Sequence, residues 1–234
     1  MNANPDNVTS RVDAAMAPSG VRSALYALLR EAFGYPRGEL LDAIRDGVVA
    51  QSLRLRTEAL DPPLGEPVDW QALQDAGEAP DTLAVEYTRL FDPGTSAPPC
   101  PLFGGLHVAP QMTTMEEVLR FYQHFGLAPA NTGGETPDHL TAELEFLHVL
   151  AWGETDLQSR GEDASAWQRG RRDFIARHPG RWVPMLREKL ERQAPPRYYR
   201  ALVRLLEQCL DADLGQLEAL HGPASREPHR SMPS

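Results

Sequence analysis

Residues 136–152 read Thr-Pro-Asp-His-Leu-Thr-Ala-Glu-Leu-Glu-Phe-Leu-His-Val-Leu-Ala-Trp. Leu140, Leu144, Leu147 and Ala151 recur at spacings of four and three, the repeat of one helix face. Thr136 as N-cap and Pro137 at the first helical position predict that the helix begins there. Asp138 and His139 then fall in the first turn, where free N–H groups and the positive dipole end favour an ionised Asp138. His139 and Glu143 are four apart and are predicted to meet on one face. Helix-start electrostatics accounts for Asp138 alone, but not for the histidine beside it.

The same period extends to both sides. Ser19 is expected to cap a helix that runs to Phe33 with Leu25, Leu28 and Leu29 on one face, ended by Gly34 and Pro36. Pro36 is placed to open a second helix carrying Leu40, Leu41, Ile44 and Val48. Asp81 is expected to cap a helix with Leu83, Tyr87, Leu90 and Phe91, and Thr113 with Glu116 reads as a capping box before Met115, Val118, Leu119 and Tyr122. Gly126 closes that helix ahead of a Gly-rich turn. Further helices are predicted over 164–178, 181–192 and from Pro196 to Gly222, the last with Tyr198, Leu202, Leu205 and Cys209 in a stripe.

No segment alternates with a period of two, and isoleucine occurs only at 44 and 175. The expected fold is all-α, a single-domain helical bundle of eight or nine helices over residues 19–222. Flexible tails are expected at 1–18 and 223–234. The helices of both halves are apolar on one side, so they are expected to share one core.

Composition sets outer limits. The 234 residues are 41% apolar and 24% charged, which excludes wholesale disorder. Thirty-three acids against 23 Lys and Arg give a net charge of −10, and no basic cluster suggests nucleic acid as a partner. Two cysteines without a CxxC fit a reducing compartment, and no stretch is apolar enough for a signal peptide or a membrane span. A cytoplasmic protein without stable membrane association is expected.

The 21 prolines, about 9% of the chain where about 5% is usual, mostly mark helix ends. One group does not. Asp92 to Pro110 holds five prolines and three glycines, yet also Leu102, Phe103, Leu106 and Val108. A loop this long in a compact domain is usually functional, and its apolar residues predict docking on the body.

Motifs for chemistry are sparse. Glu145-x-x-His148 and Glu218-x-x-His221 match half of a di-iron bundle pattern, but His221 stands at a helix end beside Gly222. Cys100 has His107 and His139 as possible partners, without a nucleophile-elbow or oxyanion-hole signature. Walker and Rossmann fingerprints are absent, so no cofactor is called for. Arg171-Arg172 lies inside a predicted helix and reads as a solvated face.

Several of these stretches together resemble the TorD/DmsD/NarJ family of molybdoenzyme maturation chaperones. They are Glu86-Tyr87-Thr88-Arg89-Leu90-Phe91, the loop Pro98-Pro99-Cys100-Pro101, Phe121-Tyr122 to Gly126-Leu127, and Glu135 to Phe146. Where many members follow the loop prolines with an aromatic-Glu-Ser run, this chain has Leu102-Phe103-Gly104-Gly105-Leu106. In that respect it is similar to the chaperones of periplasmic dehydrogenases and reductases for hydrocarbons, dimethyl sulfide, selenate or chlorate.

The resemblance implies an all-helical protein that is not an enzyme. Its partner would be the apo catalytic subunit of a molybdenum oxidoreductase, held through its twin-arginine signal peptide until cofactor is inserted, by a monomer or dimer. It implies a client-binding role for Asp138 and His139, with Glu135, Pro137, Tyr87, Phe91, Cys100, Pro101, Leu102, Phe103 and Leu106 as neighbours. A leader with a basic start and an apolar middle needs acidic groups beside an apolar groove, which Asp138, Glu135, Leu102, Phe103 and Leu106 would supply. Two other readings remain: a metal-dependent helical-bundle enzyme and a structural adaptor.

Overall fold

Twenty residues from Leu140 to Ser159 form a helix that packs along Pro18–Ala32 on one side and Ser165–Arg177 on another. The computed structural model describes residues 18–60, 63–79, 81–92, 94, 97–108, 110–127 and 136–225. Among them are nine α-helices: α1 (Pro18–Ala32), α2 (Glu39–Arg45), α3 (Val48–Glu58), α4 (Thr82–Phe91), α5 (Gln111–His124), α6 (Leu140–Ser159), α7 (Ser165–Arg177), α8 (Pro179–Glu191) and α9 (Arg197–His221). Short 3-10 turns occur at Ala72–Gln74 and Gly104–Leu106. The described residues contain no strand, so the fold is all-α. One isolated bridge joins Phe103 to His139.

A contiguous cluster of buried apolar side chains draws on all nine helices, from Val21 of α1 to Leu217 of α9. The stripe read from α6 is its middle: Leu140, Leu144, Leu147 and Ala151 are fully buried. Helix α9 packs on α7 and α8, and α3 closes over α1. Burying a Leu of this kind contributes about 1.5–3 kcal/mol, so the shared core is what holds these short helices in place.

Helix ends follow the sequence where glycine sets them. Gly126 (φ 73°) stops α5: its N–H donates to Gln123 O (3.0 Å), and Leu127 N–H reaches Tyr122 O (2.9 Å). Gly222 (φ 78°) ends α9 in the same left-handed region. N-termini depart from expectation in four places. Helix α2 begins at Glu39 rather than Pro36 and ends at Arg45, so Val48 opens α3 instead of extending α2. Helix α5 begins at Gln111 after Pro110, so Thr113 and Glu116 are interior and form no capping box. Ser19 lies buried within α1, and its hydroxyl donates to Gln158 Oε1 (3.0 Å) and accepts from Thr155 (2.8 Å). Helix α6 begins at Leu140 rather than Pro137. At Ser19 tertiary partners claim the hydroxyl that local pattern assigned to a cap, whereas the Thr136 hydroxyl turns to Asp138 two residues on.

Arg171-Arg172 requires the largest correction. Arg171 is 2% exposed and sits between Glu154 of α6 and Asp213 of α9. Arg22 of α1 completes the group on Asp213 (3.2 Å), and the Tyr26 hydroxyl donates to the same carboxylate (2.7 Å). Arg172 is nearly as buried, and its guanidinium donates to the carbonyls of His221 (2.8 Å) and Gly222 (3.0 Å). The expected tails and Glu135 lie outside the described residues, apart from Pro18 and residues 223–225.

Candidate functional site

The proline-rich loop docks on the body through backbone atoms, as its apolar residues predict. Cys100 N–H donates to Leu90 O at the end of α4 (3.0 Å). Beyond it, Leu102 O accepts from Leu140 N–H (2.8 Å) and Gly104 N–H donates to Asp138 O (2.8 Å). These two bonds flank the Phe103–His139 bridge, so residues 102–104 and 138–140 form a short two-stranded clip. Tyr122 of α5 adds a hydroxyl donor to Pro137 O (2.9 Å).

Asp138 is fully buried and acts on the loop rather than on its own helix. Its Oδ2 accepts from Gly105 N–H (3.1 Å) and its Oδ1 from the Thr136 hydroxyl (2.5 Å). That explains why α6 starts late: the carboxylate caps the Gly104–Leu106 turn, and His139 becomes the N-cap. His139 Nδ1 accepts from Thr141 N–H (3.3 Å) and lies 2.6 Å from the Thr141 hydroxyl. Its ring meets Phe103 edge-on at 4.8 Å. His139 and Glu143 thus do not pair through their side chains as expected.

Behind the clip lies a second layer that the sequence reading missed. Glu143 is fully buried, and its Oε2 accepts from the indole N–H of Trp182 in α8 (2.9 Å). The other oxygen, Oε1, has no hydrogen-bond partner among the described residues. Burial pushes the Glu143 acid well above the ordinary carboxyl range; the Trp182 donor opposes this and the Asp138 charge adds to it. The His107 ring stacks on the Trp182 indole at 5.1 Å, while its Nε2–H donates to Pro101 O (2.8 Å). Burial lowers the His107 pKa, which favours the neutral ring, while the bond to Pro101 opposes this. A Cβ on Gly104 would stand 2.8 Å from Trp182 Nε1 and 3.3 Å from Glu143 Oε1, which requires glycine there. The signals that could have found this layer were Gly104-Gly105 and the lone Trp182 in an apolar stripe.

The other candidate residues divide by exposure. Cys100, Pro101 and Leu102 are buried, and burial pushes the Cys100 thiol up to about 11, which leaves it unreactive. Phe103 and Pro137 are half-buried, and Leu106 is 46% exposed. Tyr87 and Phe91 belong to an aromatic cluster with Tyr35 and Tyr199, and the Leu90–Cys100 bond ties their helix to the loop. A 420 Å³ groove between α5 and α7 and a 690 Å³ groove beside α8 and α9 are lined by neither Pro101–Leu106 nor Pro137–His139.

The di-iron pattern disperses. Glu145 pairs with Arg30 at the surface (3.2 Å), His148 Nδ1 lies 2.8 Å from the Ser23 hydroxyl and His221 Nε2 lies 2.8 Å from Gln168 Oε1. Among the described residues no three His, Cys, Asp or Glu side chains gather as metal ligands.

The clip, the glycine pair and the late start of α6 all fall within a region that known proteins share. Residues 51–188 match the family described as nitrate reductase delta subunit. The chain belongs to that family, of the TorD/NarJ type. Its relatives within the family include the perchlorate reductase assembly chaperone protein of Dechloromonas aromatica (strain RCB), 29% identical over 92% of this chain and 96% of the relative. The dimethyl sulfide dehydrogenase assembly chaperone protein of Rhodovulum sulfidophilum is 31% identical over 90% and 87%. The selenate reductase assembly chaperone protein of Thauera selenatis is 34% identical over 58% and 73%. The family members similar to this chain are thus assembly chaperones rather than enzymes, as the resemblance implies.

Proposed function

We propose that the chain, an assembly chaperone of this family, holds the apo catalytic subunit of a molybdenum oxidoreductase until its cofactor is inserted. The observation that carries this reading is similarity along about nine-tenths of the chain to chaperones named for reductases and dehydrogenases. No described helix is long and apolar enough to cross a membrane, which suits work on a client before export. We assign the cytoplasm as its compartment and the client's twin-arginine leader as one contact.

The surface offered to that leader is the outer side of the docked loop. Leu106 and Phe103 supply apolar area for the leader's middle, and the chain's net charge of −10 attracts its basic start. Asp138 and His139 serve from beneath: they hold the loop and do not face the client directly while it is docked. Alanine at both positions therefore disturbs binding and stability together, and is a poor test of contact.

A cleaner test replaces Leu106 by Ser and titrates a synthetic leader of the cognate reductase subunit by calorimetry. The expected result is an affinity loss of about tenfold, near the loss of one buried Leu contact. Unchanged affinity would remove the loop from the client surface. Co-purification of the apo subunit with the wild-type chain tests the client class itself.

A further inference from the structure

The loop is held by more than its clip. Three layers stack from the loop inward: His107 on the face of Trp182, the Trp182 indole on Glu143, and Glu143 against the bare Cα of Gly104. Each comes from a different element, and Glu143 is where they meet. If Glu143 were ionised, a fully buried carboxylate would have one hydrogen bond and one oxygen with none. As a neutral acid it still accepts from Trp182 and carries no charge into the core.

The groups around it agree with the neutral form. From the segment before α6 it faces the Asp138 carboxylate, which repels a second negative charge. From α5 comes Tyr122, whose phenol burial holds in the protonated state, with Glu143, Asp138 and Glu145 acting in the same direction. From α8 comes the uncharged Trp182, and beyond it His107, whose neutral form burial favours. Among the described residues no cation acts on Glu143.

We infer that Glu143 is a positioning residue for the client surface: as a protonated acid it fixes Trp182, and through His107 it sets how the loop presents Phe103 and Leu106. Loss of that proton loosens the loop from the body. The claim about presentation to a client rests on the proposed function, whereas the claim about the loop does not.

The experiment follows amide hydrogen exchange at Gly104 and Gly105, whose N–H groups both donate to Asp138. Exchange is measured from pH 4 to pH 9.5 and corrected for the intrinsic pH dependence of exchange. In the wild type, corrected exchange is expected to rise up to about tenfold for each pH unit above about pH 4.5, the ordinary value of an exposed glutamate, and to level off once pH passes the raised folded value. Glu143→Gln, which keeps the shape and the acceptor of the neutral acid, is expected to match wild type at pH 4 and to stay flat. Trp182→Phe removes the indole N–H together with the five-membered ring that carries it, and is expected to raise exchange at least about fivefold at pH 4. A flat wild-type profile, or a Glu143→Gln profile that rises like wild type, overturns the inference. Leader affinity measured on the same samples separates the two readings. Exchange that changes while affinity does not leaves the latch standing and removes the loop as client surface. Affinity that responds to Leu106→Ser while exchange stays flat does the reverse.

Discussion

Helix α6 buries two glutamates on one face and treats them in opposite ways. Glu143 and Glu154 are eleven residues apart, which is about three full turns and about 16 Å along the axis. Glu154 is met by Arg171 and by the amide of Gln168 (2.7 Å), and Arg171 is shared with Asp213 (3.0 Å). Arg22 and Arg171 balance Glu154 and Asp213, so four buried charges sum to zero. Burial alone would lower the Arg171 pKa, yet the two carboxylates raise it. At the other end Glu143 meets an indole, an acid and, among the described residues, no cation, which favours its protonated form. The first arrangement ties α1, α6, α7 and α9 together as fixed charge. The second ties a loop to the body through a group that can titrate. At the proposed client surface, the second kind suits a chaperone that must grip and release.

The contrast can be broken most forcefully at Arg171. Arg171→Met leaves Glu154 buried without its cation, and is expected to cost about 3–5 kcal/mol in urea denaturation at pH 7. A cost below about 1 kcal/mol would show that the four charges do not act as a unit. Glutamine substitutions sharpen the comparison next. Glu154→Gln is expected to cost about 3 kcal/mol because it strands Arg171, whereas Glu143→Gln is expected to cost under about 1 kcal/mol. Equal costs would mean that Glu143 is ionised too.

His178 tests the same principle with the opposite sign. It is 1% exposed at the junction of α7 and α8, against Phe121 and Phe174, and burial together with Arg177 and Arg181 lowers its pKa to about 3. The unfolded chain takes up this proton first, so stability is complete above about pH 6.5 and falls as pH drops toward 3. Glu143 runs the other way: its raised pKa gives stability that is complete below about pH 4.5 and is lost as pH rises through the folded value. His178→Phe is expected to remove up to about 1.4 kcal/mol of loss per pH unit between pH 6.5 and 4, seen as urea midpoints that no longer fall with acid. The smallest stability change is expected for Leu106→Ser, within about 0.5 kcal/mol, alongside the loss of about tenfold in leader affinity expected for it.

How much of this could be read in advance varies by residue. The α6 stripe, the glycine stops at Gly126 and Gly222 and the docking of the loop all follow from period and composition, because each depends on neighbours a few residues away. The position of Asp138 was legible as a charge at a helix start, but not its acceptor role toward Gly105, which lies 33 residues earlier in the chain. Arg171 was misread as solvated for the same reason. Its partners are 17 and 42 residues away on other helices, and a charged residue inside a polar helix is exposed by default. Leu102 and Leu106 are four apart on one loop, yet only one of them reaches solvent.

The sequence by itself determined that the chain is helical, where most of its helices lie, and which loop is unusual. These depend on local spacing, on glycine and proline, and on the supply of apolar residues. Only the tertiary structure decided which of its acids are charged. A carboxyl group's proton depends on whether a guanidinium, an indole or another acid is brought within a few ångströms, and folding alone brings them there.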